Sequence, residues 1–97
     1  MLKIETTDRF DDWLAKQDKL VRLRLVTRLD KLSKGLWGDF KSVGEQVLEL
    51  REDFGAGYRL YVTQMDAVLV VALGAGDKST QTKDIASAIH IAKELRK

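Results

Sequence analysis

The chain has 97 residues, of which 44% are hydrophobic and 33% charged, with a net charge of +2. This size and composition predict one small globular domain over residues 1–97. There is no cysteine and only one histidine, which excludes disulfides and thiolate or multi-histidine metal sites, and we expect no cofactor. No apolar run reaches the roughly 18 residues of a membrane span, and the acidic N-terminus is unlike a signal peptide, so we expect a cytoplasmic protein without a membrane partner.

The first third of the chain predicts one strand and two helices. Residues 2–6 alternate apolar and polar side chains, which is typical of a strand. Thr7 or Asp8 can cap a short helix with one apolar face, which carries Phe10, Trp13 and Leu14. Residues 19–34 predict a second helix with an apolar stripe and a basic stripe on nearly the opposite side. The apolar stripe consists of Val21, Leu25, Leu29 and Leu32, and the basic stripe of Arg24, Arg28, Lys31 and Lys34.

The middle of the chain predicts strands. Residues 40–43 can form a short strand, and residues 47–53 and 58–63 form two strands joined by a glycine-rich turn. Residues 67–73 are apolar at every position, which is typical of a strand covered on both faces.

A polar, glycine-rich turn over residues 74–80 leads to the last helix, which begins near Thr80 or Thr82. The predicted fold class is α+β, in the order β-α-α-β-β-β-α. It has a small antiparallel or mixed sheet with the helices packed on one face.

Side-chain alternation places three candidate site residues together. With the apolar residues of both middle strands facing the helices, Arg51, Arg59 and Tyr61 share the opposite, more open face. Lys78 follows the last strand and can lean over that face. Guanidinium groups hold phosphate oxygens bidentately, a lysine adds a point charge, and a tyrosine can stack on a base. The four residues therefore predict a surface that grips RNA phosphates.

Each of these signals also has a plainer interpretation. Arg51 and Arg59 can pair with acidic residues across the hairpin, and Tyr61 can serve sheet packing. The basic stripe can be a solvated helix face, or it can contact RNA or an acidic partner. The turn over residues 74–80 lacks the spacing of a phosphate-binding P-loop, and no carboxylate pair, Ser-His-Asp set or metal constellation stands out.

Several segments together are similar to one known family. They are Trp13-Leu14, residues 38–44, Glu49-Leu50-Arg51, residues 57–61, residues 76–81 and Asp84-Ile85. On these segments the chain resembles the RelE/ParE toxin superfamily, and more closely its phage-derived, HigB-like "addiction module killer protein" branch. The resemblance spans nearly the whole chain and keeps the same order of elements.

The resemblance implies a toxin of a type II toxin–antitoxin pair. RelE-like members cut mRNA in the ribosomal A site by attack of the 2′-hydroxyl on the adjacent phosphate, which leaves a 2′,3′-cyclic phosphate. The implied activity is thus a metal-independent, ribosome-dependent mRNA endoribonuclease. Its implied partners are the ribosome, mRNA and a cognate antitoxin, which we expect to be a helix-turn-helix protein.

The resemblance also implies roles for single residues. Arg59 matches the arginine that follows Gly-Tyr in RelE and contacts the scissile phosphate. Lys78 and Arg51 match further basic positions, whereas Val47 and Glu49 stand where RelE has lysines. Two other functions remain open: a ParE-like inhibitor of DNA gyrase that cuts nothing, and an inactive member that acts only in antitoxin binding and autoregulation.

Overall fold

The computed structural model describes all 97 residues. In chain order the elements are β1 (Lys3–Thr6), α1 (Asp8–Ala15), α2 (Lys19–Ser33), β2 (Phe40–Gly44), β3 (Val47–Arg51), β4 (Arg59–Gln64), β5 (Leu69–Gly76) and α3 (Gln81–Leu95). A short 3₁₀ turn, Lys78–Thr80, precedes α3. The α+β class is confirmed and the order holds, except that the short strand β2 makes it β-α-α-β-β-β-β-α. None of the helices combines the length and hydropathy that crossing a bilayer requires.

The five strands form one mixed sheet in the order β1-β5-β4-β3-β2. β1 runs parallel to β5, and the other neighbouring strands are antiparallel. Because the carboxyl ends of parallel strands meet at the same edge of a sheet, α1 and α3, which follow β1 and β5, both begin at this edge.

The helices lie on both faces of the sheet, so the expectation that they pack on one face is wrong. α1 and α2 cover one face around a core of Phe10, Val21, Leu25, Leu32, Leu50, Leu60, Val62, Val70, Ala72 and Ala75. α3 covers the other face around a core of Val47, Tyr61, Val71, Leu73, Ala88 and Ala92. The reason lies in β5, whose apolar residues alternate between the two cores, and both faces must be shielded from water.

β5 extends to Gly76, so residues 74–76 belong to the strand and not to the turn that we expected there. A Cβ atom on Gly76 would collide with the carboxylate of Asp84 and lie 2.7 Å from Oγ1 of Thr80. This glycine thus allows the start of α3 to pack directly against the strand backbone.

Candidate functional site

Arg59 and Lys78 lie at the end of two neighbouring interior strands of the sheet, where β4 begins and β5 ends. Arg59 is paired with Gly76 in the sheet, and Lys78 follows two residues after Gly76. The side chain of Lys78 crosses Gly57, whose position leaves no room for a Cβ: one placed there would be 2.8 Å from Cε of Lys78. Gly57 also has φ = 77°, a conformation that favours glycine. We call Arg59, Lys78 and Gly57 the cationic corner.

The structure places Arg59 in a buried position, with only 6% of its surface exposed. Nη1 donates to the carbonyl of Tyr58 at 3.0 Å and weakly to that of Glu52 at 3.5 Å. Nε lies 4.0 Å from Oε1 of Glu49, and Nη2 makes no hydrogen bond within the chain. The expected open face does not exist here because α3 covers it, yet Nη1 holds the guanidinium in place while Nη2 forms no hydrogen bond.

Glu49 is fully buried beside Arg59, at the centre of a polar network. Oε2 accepts from the hydroxyl of Tyr61 at 3.2 Å and from Nε2 of Gln81 at 2.8 Å. Oε1 of Glu49 and Nε of Arg59 both lack a hydrogen bond, although they face each other. A buried ion pair without a closing hydrogen bond is costly, and Glu49 supplies the negative charge that offsets the buried charge of Arg59.

Tyr61 is fully buried and belongs to this network, so it cannot stack on a base as we expected. Burial, and then the negative charge and hydrogen bond of Glu49, raise the pKa of Tyr61 far above its usual value. The hydroxyl therefore stays protonated and acts as a donor to Glu49.

Sequence reasoning assigned no role to Gln81 in this network. The position of Glu49 in the network could have been predicted from the sequence, because strand alternation puts it on the same face as Arg59 and directly opposite Tyr61.

Arg51 lies across from Arg59 in the sheet, but its guanidinium turns away to Asp39. Nε and Nη2 donate to Oδ1 of Asp39 at 3.2 and 2.8 Å. This hydrogen-bonded pair lowers the pKa of Asp39 and raises the pKa of Arg51. Arg51 thus pairs with an acidic residue, but with Asp39 before β2 and not across the β3–β4 hairpin as the plainer interpretation expected. The structure does not bring its charge into the cationic corner.

The predicted basic stripe of α2 is not one surface. Arg28 is buried, with Nη1 donating to Glu52 and Nη2 to the carbonyls of Trp37 and Asp39. At about 100° per residue, Arg28 lies about 40° from Leu32 around the helix, which places it at the margin of the apolar stripe and not opposite it. The exposed members behave differently from one another. Arg24 lies 4.0 Å over the ring of Phe54, Lys34 pairs with Asp30 at 3.0 Å, and Lys31 has no ion pair.

The turn after β5 is held by its own side chains. Asp77 accepts from the amide of Ser79 at 2.8 Å, and Thr80 completes a capping box. Hydrogen bonds from Ser79 lower the pKa of Asp77. This fixes the backbone from which Lys78 projects, while the lysine itself forms no ion pair. No group of three or more His, Asp or Glu side chains is arranged to hold a metal ion. The corner therefore presents one fixed guanidinium and one flexible ammonium, which are groups that can bind an anion.

The architecture of this chain is that of a known fold. A chain in the crystal structure of the intact E. coli RelBE toxin–antitoxin complex matches it with a TM-score of 0.67, over 79% of this chain and 96% of the other. The two sequences are 18% identical, so the likeness shows the shared fold. It confirms the fold that the sequence resemblance implies.

The chain itself belongs to the family of phage-derived Gp49-like proteins (DUF891), whose sequence model matches residues 12–97. An uncharacterised protein of Haemophilus influenzae is 45% identical to it over 95 residues. That alignment covers 97% of this chain and 96% of the relative, so the two proteins correspond over their whole lengths.

Proposed function

We propose that this chain is the toxin of a type II toxin–antitoxin pair, in the HigB-like branch, and that it acts in the cytoplasm as a ribosome-dependent mRNA endoribonuclease. One domain over residues 1–97 would carry the activity. The fold supports the proposal, because the matching crystal structure is a toxin–antitoxin complex. The observation that carries it is the cationic corner, in which Arg59 is anchored by carbonyls with Nη2 unused and Lys78 is unpaired.

In the proposed reaction a ribose 2′-hydroxyl loses its proton to water and its oxygen forms a bond to the adjacent phosphorus. The bond from phosphorus to the 5′-oxygen of the next nucleotide breaks, and this oxygen takes a proton from water. The products are a 2′,3′-cyclic phosphate and a free 5′-hydroxyl. Negative charge grows on the non-bridging phosphate oxygens during the attack, and Arg59 and Lys78 stabilise it. The carbonyls of Tyr58 and Glu52 hold the guanidinium in place beside the carboxylate of Glu49, so little reorganisation is needed when the phosphate arrives.

The proposed partners follow from this activity. A cognate antitoxin would bind the folded toxin, and the ribosome would present the mRNA. Arg24, Lys31 and Lys34, which are exposed on α2, would contact ribosomal RNA. Arg28 is not among these contacts, because its donors are already used inside the fold.

A gyrase inhibitor of the ParE type is the second candidate, and one observation favours it. The carboxylate nearest to Arg59 belongs to Glu49, which is fully buried, and Tyr61 is buried and held protonated. Neither residue is exposed to take a proton from a 2′-hydroxyl, and a protein that only binds its target needs no such group.

Primer extension on a translated reporter mRNA, after induction of the protein, tests the proposal. We expect cuts inside translated codons, and we expect Lys78→Gln to reduce them roughly 10- to 100-fold because one phosphate contact is lost. Lys78 is exposed, so this variant should fold normally. Lys41→Gln, which removes an exposed charge at the opposite edge of the sheet, is the matched control.

Arg59→Gln should abolish the cuts as well, and far-UV circular dichroism must accompany it because this arginine is buried. Growth arrest with intact mRNA and damaged DNA would reject the ribonuclease in favour of gyrase inhibition. Unchanged cutting by Lys78→Gln would remove Lys78 from the site.

A further inference from the structure

A second concave surface lies beside the cationic corner, at the carboxyl edge of β5. α1 stands next to this edge because the hydroxyl of Thr7, just before the helix, lies 3.1 Å from the carbonyls of both Ala72 and Leu73. The groove between them encloses about 500 Å³, which is in the range of small-ligand sites. It is lined by Arg9, Asp12, Trp13, Lys16, Ala75 and Asp84.

α1 turns a row of three groove-lining side chains toward this space. Arg9, Trp13 and Lys16 follow one another at i, i+4 and i+7, so they share one face of the helix, while Phe10 points into the core. Neither Arg9 nor Lys16 forms an ion pair within the chain. An aromatic ring between two unpaired cations matches single-stranded nucleic acid, in which base faces and phosphates alternate along the strand.

The groove is continuous with the cationic corner through two neighbouring residues. The rings of Trp13 and Tyr58 meet edge to face, with centroids 6.2 Å apart. The carbonyl of Tyr58 accepts from Arg59, and Gly57 lies under Lys78. Asp84, which lines the groove, lies against Gly76, the sheet partner of Arg59, so the groove and the corner adjoin at the end of β5. A strand whose phosphate is held at the corner would extend toward the groove.

We propose that the groove is a nucleotide subsite for single-stranded RNA. The nucleotide next to the phosphate at Arg59 and Lys78 stacks its base against Trp13, and its own phosphate contacts Arg9 and Lys16. This inference rests on the proposed function and deepens it, since it extends the substrate contact to at least two nucleotides.

The two carboxylates in the groove give the subsite a base preference. Asp12 has no hydrogen bond or ion pair within the chain, and Asp84 uses one oxygen for Thr80. Carboxylates accept from the amino groups of adenine, cytosine and guanine, whereas uracil has no amino group to offer. Uracil should therefore be the base that the groove binds most weakly.

Tryptophan fluorescence tests the subsite directly. In a Trp37→Phe protein Trp13 is the only tryptophan, and a stacked base should quench its emission. The probes are 2′-O-methyl RNA octamers of adenine or of uracil, which the proposed reaction cannot cleave. We expect quenching by both octamers, with the adenine octamer binding more tightly.

The Arg9→Gln/Lys16→Gln variant should bind the adenine octamer about tenfold more weakly. The slope of log affinity against log salt should fall by about 0.7, which corresponds to one phosphate no longer neutralised on a single strand. The matched control, Lys41→Gln/Lys97→Gln, removes the same net charge from exposed positions outside the groove. It should retain most of the affinity and of the slope.

Equal losses of affinity in the two double variants, or no quenching by the Trp37→Phe protein, would overturn the subsite. The cleavage assay distinguishes this failure from failure of the proposed function. If Arg9→Gln/Lys16→Gln binds the octamer and cuts translated mRNA like the unmodified chain, the groove is wrong and the ribonuclease stands. If quenching depends on Arg9 and Lys16 while mRNA stays uncut, the groove is a nucleic-acid site and the ribonuclease fails.

Discussion

Arg28 joins segments that are far apart in the chain. From α2, its two terminal nitrogens donate to the carbonyl of Arg51 and the carboxylate of Glu52 after β3, and to the carbonyls of Trp37 and Asp39 before β2. Its side chain thus ties the segment before β2 and the end of β3 to α2. Helical periodicity places Arg28 beside the apolar stripe, but the pattern does not show the carbonyls that tertiary folding brings to the side chain.

Arg28→Ala should lower the free energy of unfolding by roughly 3–5 kcal/mol, because it removes one partner of a buried pair and leaves the Glu52 carboxylate uncompensated. Arg24→Ala, from the exposed side of the same helix, should cost about 1 kcal/mol or less. Urea denaturation followed by tryptophan fluorescence measures both. Similar losses in the two variants would show that Arg28 is not the structural residue described here.

Tyr61 should make stability depend on pH in the alkaline range. Its folded-state pKa is raised above the ordinary value of 10.0 by burial and by Glu49. The unfolded chain releases this proton near its ordinary pKa while the folded chain keeps it. The stabilisation is therefore complete below that value and declines as the pH rises above it. Urea midpoints measured from about pH 9 to about pH 11 should fall more steeply for the unmodified chain than for Tyr61→Phe.

Tyr58→Phe is the control for that experiment, since it removes the other of the two tyrosines. If Tyr61→Phe keeps the full alkaline slope, the phenol of Tyr61 is not the group that sets it.

At the level of elements, apolar periodicity and capping residues locate the helices well. Thr7 and Asp18 accept from the amides of Phe10 and Val21, and these caps begin α1 and α2. Periodicity could not predict on which face of the sheet α3 packs. An apolar stripe shows which side of a helix is buried, but it does not show which surface covers that side. The uninterrupted apolar run at residues 67–73 was the available signal, since a strand covered on both faces needs a helix layer on each.

Gly76 sets how closely α3 approaches the sheet. Gly76→Ala should lower the free energy of unfolding by roughly 1–3 kcal/mol, because its Cβ collides with Asp84 and Thr80 at the start of the helix. Gly74→Ala is the matched control in the same strand. Its Cβ would meet only the side chain of Arg9 at 3.7 Å, an ordinary contact.

Chemical denaturation of the two alanine variants and of Gly76→Ala/Asp84→Ala identifies the cause. The double variant should lose less stability than the sum of the two single losses, because the collision with the carboxylate is gone. Additive losses of unfolding free energy would show that the cost of Gly76→Ala does not come from a collision with Asp84.

For the whole molecule, the two cores share one sheet and are not independent. Leu60 and Val62 of β4 enter the core beneath α1 and α2, while Tyr61 between them enters the core beneath α3. Both cores therefore depend on the backbone of β4. Loss of packing on one face releases the strands on which the other face depends, and unfolding should be one cooperative event.

Leu25→Ala in the first core and Leu73→Ala in the second should each cost roughly 2–5 kcal/mol, since both side chains are fully buried. Both tryptophans pack on the side of α1 and α2, so their fluorescence reports that layer, whereas far-UV circular dichroism reports all three helices. In each variant the two signals should give the same urea midpoint. If the dichroism of Leu73→Ala changes at a lower urea concentration than its fluorescence, α3 leaves the sheet before the rest unfolds. Glu49 and Arg59 would then become exposed without unfolding of the whole chain.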